Sequence, residues 1–227
     1  MLAVIGAMPV ETELLAEQLG DAAARTVQGV TIQRGSSAGQ PVLLATCGIG
    51  KVNAAHITAL LLAEGATRVI FTGVAGALDP QLRPGDVVIS RDCLQHDVDV
   101  SALGYDRGVI PGEDVPFKAD PYLRRTALEA AQGAVEGSVL EGRVLSGDVF
   151  VASAAAAHDL HSRFGGTCVE MEGAAVAQVC VKAGVPFVIV RSISDHADGG
   201  ASPDFREFTQ AAARNSHAVV TGMLARL

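Results

Sequence analysis

Short apolar runs alternate with longer, Ala-rich or amphipathic ones along most of the chain. Leu2–Ile5, Val42–Cys47, Arg68–Thr72, Asp86–Ser90, Val139–Leu145 and Phe187–Val190 have strand length and few polar positions, as strands covered on both faces do. Between them lie stretches of helical length. Pro9 suits a first helical turn ahead of Thr12–Leu19, and Asn53–Glu64 and Pro121–Glu136 follow. Ser153 can cap a helix to Arg163, an Ala/Val-rich run reaches Lys182, and Ser202 or Asp204 opens a last helix to Leu227 after a Gly-rich loop at His196–Pro203. Val30–Arg34 and Val42–Cys47 flank the Gly/Ser-rich Gly35–Pro41, which reads as a hairpin and makes the sheet mixed. The expectation is an α/β chain, one domain over residues 1–227, with three α/β/α layers around a central mixed twisted sheet.

The stretch from Cys168 to Asp195 carries the densest chemistry. Gly184 and Pro186 separate a helix-length run from a strand-length run, so it reads as strand, helix, strand. In open α/β sheets ligands bind beyond the carboxyl ends of parallel strands, and these ends present Glu170, Glu172 and Asp195. On an extended strand Glu170 and Glu172 share a face, a pattern equally at home on a solvated edge. Glu11, at the start of the first helix, is either an acid opposing the helix dipole or part of a site; position alone leaves both open.

Two glycine-rich turns follow strands. Gly48-Ile49-Gly50-Lys51-Val52 lacks the Ser or Thr and the earlier glycine of a phosphate loop, and Asn53 stands where a dinucleotide loop needs a third glycine. It remains a tight turn whose free amides can face a ligand. Gly73-Val74-Ala75-Gly76 allows close backbone approach or simply a tight turn. His96, Asp97 and Asp99, or His158 and His161, lack the spacing of a metal site, so no metal is expected.

Composition narrows the partners. The formal charge of −8 and scattered Lys and Arg argue against nucleic acid, and aromatics at 4% with no Trp leave no stacking platform. No window nears the roughly 20 apolar residues of a membrane helix. Met1–Ala7 lacks a basic leader and a cleavage site, and the four cysteines show no paired spacing, so the expected location is the cytoplasm.

Ile5-Gly6-Ala7-Met8 with Glu11, Gly48 to Val52, Gly73 to Gly76, Ser146-Gly147-Asp148 with Phe150, Val169 to Glu172, and Arg191 to Asp195 occur in that order over nearly the whole chain. Together they resemble the bacterial 5′-methylthioadenosine/S-adenosylhomocysteine nucleosidases. The resemblance implies the nucleoside phosphorylase fold, a homodimer, no cofactor, and hydrolysis of the N-glycosidic bond of methylthioadenosine, S-adenosylhomocysteine and 5′-deoxyadenosine in methylthioadenosine recycling and methionine salvage. It assigns Asp195 as the acid for adenine, Glu11 as the activator of water and Glu172, beside Glu170 and Met171, as the ribose-binding acid. Phe150 stacks on adenine, the backbone of Val151 bonds its edge, Gly76 adjoins it, and Arg191 and Ser194 orient the acids. Met8, Ile49 and Phe205 line the 5′-alkylthio pocket, joined by Val100, Leu103 and Pro111 from a second subunit. The long, irregular Cys93–Pro121 supplies these last residues.

Val74 stands where relatives often carry Ser, Leu103 where Phe is frequent, and Pro9-Val10 where an acidic pair precedes the glutamate. These departures bear on the 5′ substituent. Rival readings are a phosphate-dependent purine nucleoside phosphorylase, with Arg34, Arg68 and Arg191 as anion anchors, a nucleosidase for aminodeoxyfutalosine, and a nucleoside-binding protein without catalysis.

Overall fold

A computed structural model describes the backbone of residues 1–197 and 201–227 and the side chains of 1–197 and 209–227. Strands β1 (Leu2–Gly6), β4 (Gln40–Thr46), β5 (Arg68–Ala77) and β10 (Phe187–Asp195) run in one direction, with β1 parallel to both β4 and β5, and β5 parallel to β10. Strands β3 (Val30–Ser37) and β2 (Gly20–Val27) extend the β4 edge antiparallel.

Side-chain alternation along the central strands builds the layers. Ala3 and Ile5 of β1, Val69 and Phe71 of β5, and Phe187 and Ile189 of β10 enter one core, with α2 (Lys51–Ala63) and α5 (Gly173–Ala183) over it. Leu2, Val4, Ile70, Val188 and Val190 enter the other, under α1 (Pro9–Gln18), α3 (Pro121–Ala131) and α6 (Ala201–Leu224). Each of these buried aliphatics contributes about 1.5–3 kcal/mol relative to exposure. Covering both faces is what the continuous apolar runs require.

The far side of the sheet curls shut. β10 is antiparallel to β6 (Val87–Gln95), β6 parallel to β8 (Val139–Ser146), β8 parallel to β9 (Cys168–Glu170), and β9 antiparallel to the end of β5. The mixed sheet is therefore closed at one end into a ring. α4 (Ala154–Phe164) packs outside it, through Leu160 and Phe164 against Leu145 and Val169. β9 and β10, whose acid-bearing ends were expected as those of parallel strands, lie on different sides of β5 and point oppositely, and ring closure is what brings their ends together.

Other boundaries moved. β2, GDAAARTV, is almost wholly exposed, so it carries no burial pattern to read. α3 stops at Ala131 rather than Glu136, since Gln132 is already extended and Gly133 takes a φ of 72°. Cys93–Pro121 is less irregular than expected: β6 runs on to Gln95, and β7 (Phe117–Lys118) pairs back onto it. All four cysteines are free, and no helix among the described residues is long and apolar enough to cross a membrane.

Candidate active site

Glu11 enters the site because β1 ends in a turn rather than running straight into α1. Met8 is extended, at φ −119° and ψ 152°, and closes the turn ahead of Pro9. This folds the glutamate back over the strand end. Its Oε2 accepts the amides of Ala7 at 2.7 Å and Met8 at 2.8 Å, and its Oε1 accepts that of Val74 at 3.0 Å. Burial raises its pKa, while Arg191 and the three amides pull the other way. At Gly73 a methyl group would overlap both the Glu11 carboxylate and the Arg191 guanidinium. Glycine there is a packing requirement of the site.

Arg191, on β10, lies at the centre and is 1% exposed. Its Nη2 donates to Glu170, lies 3.9 Å from Glu172 Oε2, and its guanidinium carbon sits 4.1 Å above the Phe71 ring. Glu170 also accepts the hydroxyl of Ser146 and the amides of Gly173, at 2.8 and 2.9 Å, and Glu172, at 3.2 Å. The same serine oxygen takes the amide of Ala174 at 2.7 Å. Glu170 thus borders the cleft while its two oxygens accept from Arg191, Ser146 and the amino terminus of α5.

Glu172 parts from Glu170 because the strand ends between them. As the residue preceding α5 it takes φ −138° and ψ −43°, which breaks the shared face expected of an extended pair. Its Oε1 accepts the Gly50 amide at 2.7 Å. The turn amide expected to face a ligand therefore holds this carboxylate instead. Burial, then the charge of Glu170, pushes the Glu172 pKa up to about 7, against Arg191 and Gly50.

Asp195 ends β10 after a bulge that resets its register onto Gly76. Its Oδ2 accepts Ser194 Oγ at 2.7 Å and its Oδ1 the Ala197 amide at 2.8 Å. A Cβ at Gly76 would come within 2.9 Å of the Ala197 methyl, so this glycine makes room for the turn after Asp195.

These groups surround one cleft. Met8, Ile49, Val74, Phe150, Val151 and Met171 give it apolar walls, and Glu11, Glu172, Ser194 and Asp195 its polar points. Arg191 sits behind the carboxylates. Val100, Leu103 and Pro111 form no part of this wall, and Leu103 is 73% exposed. The Phe205 side chain lies outside the described residues. Sequence reading missed the holding role of the Val74 and Gly50 amides, because a backbone donor leaves no mark in residue type. Among the described residues no cluster of His, Cys, Asp or Glu is arranged to hold a metal ion.

The family model of the phosphorylase superfamily matches residues 1–225. The chain belongs to that superfamily. Over 228 aligned positions, spanning 100% of this chain and 98% of the other, it is 40% identical to the 5′-methylthioadenosine/S-adenosylhomocysteine nucleosidase of Halalkalibacterium halodurans. The Neisseria meningitidis nucleosidase of the same name, solved with methylthio-immucillin-A, superposes with a TM-score of 0.96 at 42% identity, over 100% of this chain and 99% of that one. Futalosine hydrolase of Helicobacter pylori superposes at 0.95 with 35% identity, over 100% and 97%. The closed mixed sheet with helices on both faces is the nucleoside phosphorylase-like architecture of these neighbours.

Proposed function

We propose that this chain hydrolyses the N-glycosidic bond of 5′-methylthioadenosine and S-adenosylhomocysteine, and also of 5′-deoxyadenosine, to adenine and the 5-substituted ribose, in methionine salvage. The observation that carries the reading is the gathering of Glu11, Glu172 and Asp195 around one cleft whose nearby cation, Arg191, is already taken by Glu170. A phosphorylase needs cations for its phosphate. Arg34 donates to the Glu64 carbonyl at 3.3 Å, and Arg68 begins β5, whose far end forms the site about 20 Å away. Water is the nucleophile this arrangement suits.

The reaction follows from where the carboxylates stand. As the C1′–N9 bond breaks, its electron pair passes to the purine, and Asp195, oriented by Ser194, delivers a proton to the ring. The sugar becomes oxocarbenium-like. Water adds to C1′ and gives its proton to Glu11, whose raised pKa makes it a better base than a solvated glutamate. Glu172 accepts from the ribose hydroxyls, and the negative charge of both glutamates favours the cationic transition state. Phe150 and Val151 hold the purine. No cofactor enters the scheme.

Ile49, Val149 and Phe150 at the cleft are each more than half exposed in the single chain. A cytoplasmic homodimer covers them and brings Val100, Leu103 and Pro111 across the interface to complete the alkylthio pocket. Light scattering returning the monomer mass for fully active protein would refute this. The futalosine hydrolase likeness supports a second reading, the same hydrolysis on aminodeoxyfutalosine. The test is incubation with each nucleoside with and without phosphate. Free adenine and free sugar in phosphate-free buffer support hydrolysis; a phosphate requirement with a sugar 1-phosphate product overturns it.

A further inference from the structure

Lys51 stands at the first position of α2, where the positive end of the helix dipole disfavours a cation. Its surroundings explain why it is there. Its Nζ donates to Asp97 Oδ1 at 2.7 Å and to Gln95 Oε1 at 3.0 Å, at the end of β6. The other oxygen of Asp97 accepts the Asp148 amide at 3.0 Å, and Asp148 Oδ1 accepts the Lys51 amide at 2.8 Å. The three residues thus close a ring of hydrogen bonds that joins three segments: the turn before α2, the end of β6, and the loop after β8. The Lys51 side chain is 18% exposed and that of Asp97 22%, so the ion pair within the ring is partly shielded from water.

Two glycines make the ring possible. Gly50 adopts φ 99°, where a side chain is strained, and its Cβ would lie 3.2 Å from Asp148 Oδ1. At Gly147 a methyl group would run into the buried His96 ring, pushing the loop off β6. The ring's neighbours are functional. Gly50, one residue before Lys51, donates to Glu172, and Phe150 and Val151 follow Asp148 on the same loop. The ring therefore lies between the purine wall and the acid assigned to the ribose.

We infer that Lys51, Asp97 and Asp148 are positioning residues that hold the purine-binding loop in register with Glu172, so that one nucleoside meets both at once. This deepens the nucleosidase reading and rests on it. Opening the ring leaves Glu11 and Asp195 on their own supports, the β1 turn and the end of β10, so the cost falls on substrate capture rather than on the bond-breaking step.

The test is steady-state hydrolysis of methylthioadenosine by wild type, Asp148→Ala, Lys51→Met, the double variant, and Asp148→Asn, which keeps the accepting oxygen. Each single break should raise KM about tenfold, the scale of one charge-assisted hydrogen bond, with kcat changed by less than about threefold. The double variant should be no worse than the worse single, since a ring is opened only once, and Asp148→Asn should recover most of the loss. Unchanged KM in both singles overturns the inference, as does a double variant whose KM rises by the product of the two. So does a fall in kcat and thermal stability with KM unmoved. A wild type that neither binds nor cleaves the nucleoside overturns the function itself and the ring's role with it, whereas a wild type that cleaves beside unaffected variants overturns the ring alone.

Discussion

Replacing Arg191 by Met keeps much of the side-chain length and removes a positive charge that Glu11, Glu170 and Glu172 all face. At the 3.9 Å between Arg191 Nη2 and Glu172 Oε2, an effective dielectric of about 20 gives an attraction of about 4 kcal/mol. That is roughly a thousandfold in the proton affinity of one carboxylate. Because three carboxylates share the loss, the variant should take up about one proton at neutral pH, and the site then lacks an ionised acid where one is needed. The assay is kcat/KM for methylthioadenosine against pH. At neutrality it should fall by about two to three orders of magnitude, and it should recover about tenfold per unit as pH rises. Arg191→Lys retains the charge and should keep the acid limb near that of the wild type. Breaking a buried pair also costs about 3–5 kcal/mol, a large part of a typical domain's stability, so circular dichroism must show a folded variant at assay temperature. A loss of the same factor at every pH, with folding intact, would refute the electrostatic argument.

Gly73→Ala should abolish most activity, because the new methyl displaces either the Glu11 carboxylate or the Arg191 guanidinium; near-wild-type kcat would count against the tight packing described. Glu172 needs its charge to accept ribose hydroxyls, so with a pKa of about 7 the KM for the nucleoside should climb as pH drops below neutrality, and Glu172→Gln should weaken binding and flatten that dependence. The same residue acts on stability in the opposite sense. Its folded pKa lies above the ordinary 4.5, so the folded state binds the extra proton between 4.5 and about 7, and its contribution is full below 4.5 and lost as pH rises through about 7. Thermal denaturation of wild type and Glu172→Gln over that window should show the wild type gaining on the variant as pH falls; parallel curves would contradict the shift.

The buried strands were legible because both faces of the sheet are covered: β1, β5 and β10 read as unbroken apolar runs, and each delivers alternate side chains to the two cores. β2 was not, since an exposed, Ala-rich edge has no alternation to detect. Closure of the ring depends on β9, three residues long, pairing antiparallel to the end of β5. Nothing in so short a segment specifies its partner. Within the site, Glu11 could be singled out but not decided, because an acid at a helix start satisfies the dipole whether or not it also serves chemistry. The division between Glu170 and Glu172 was hidden by the change from strand to helix between them, after which a period of two no longer applies.

The most direct test of the account concerns Asp195→Asn, which keeps the shape and removes the transferable proton. With methylthioadenosine the variant should still bind its substrate, since the amide can hydrogen-bond the purine, while adenine release falls by about 10²- to 10⁴-fold. A nucleoside whose base leaves without protonation should regain much of the rate. Adenine release at nearly the wild-type rate by Asp195→Asn would contradict the central claim.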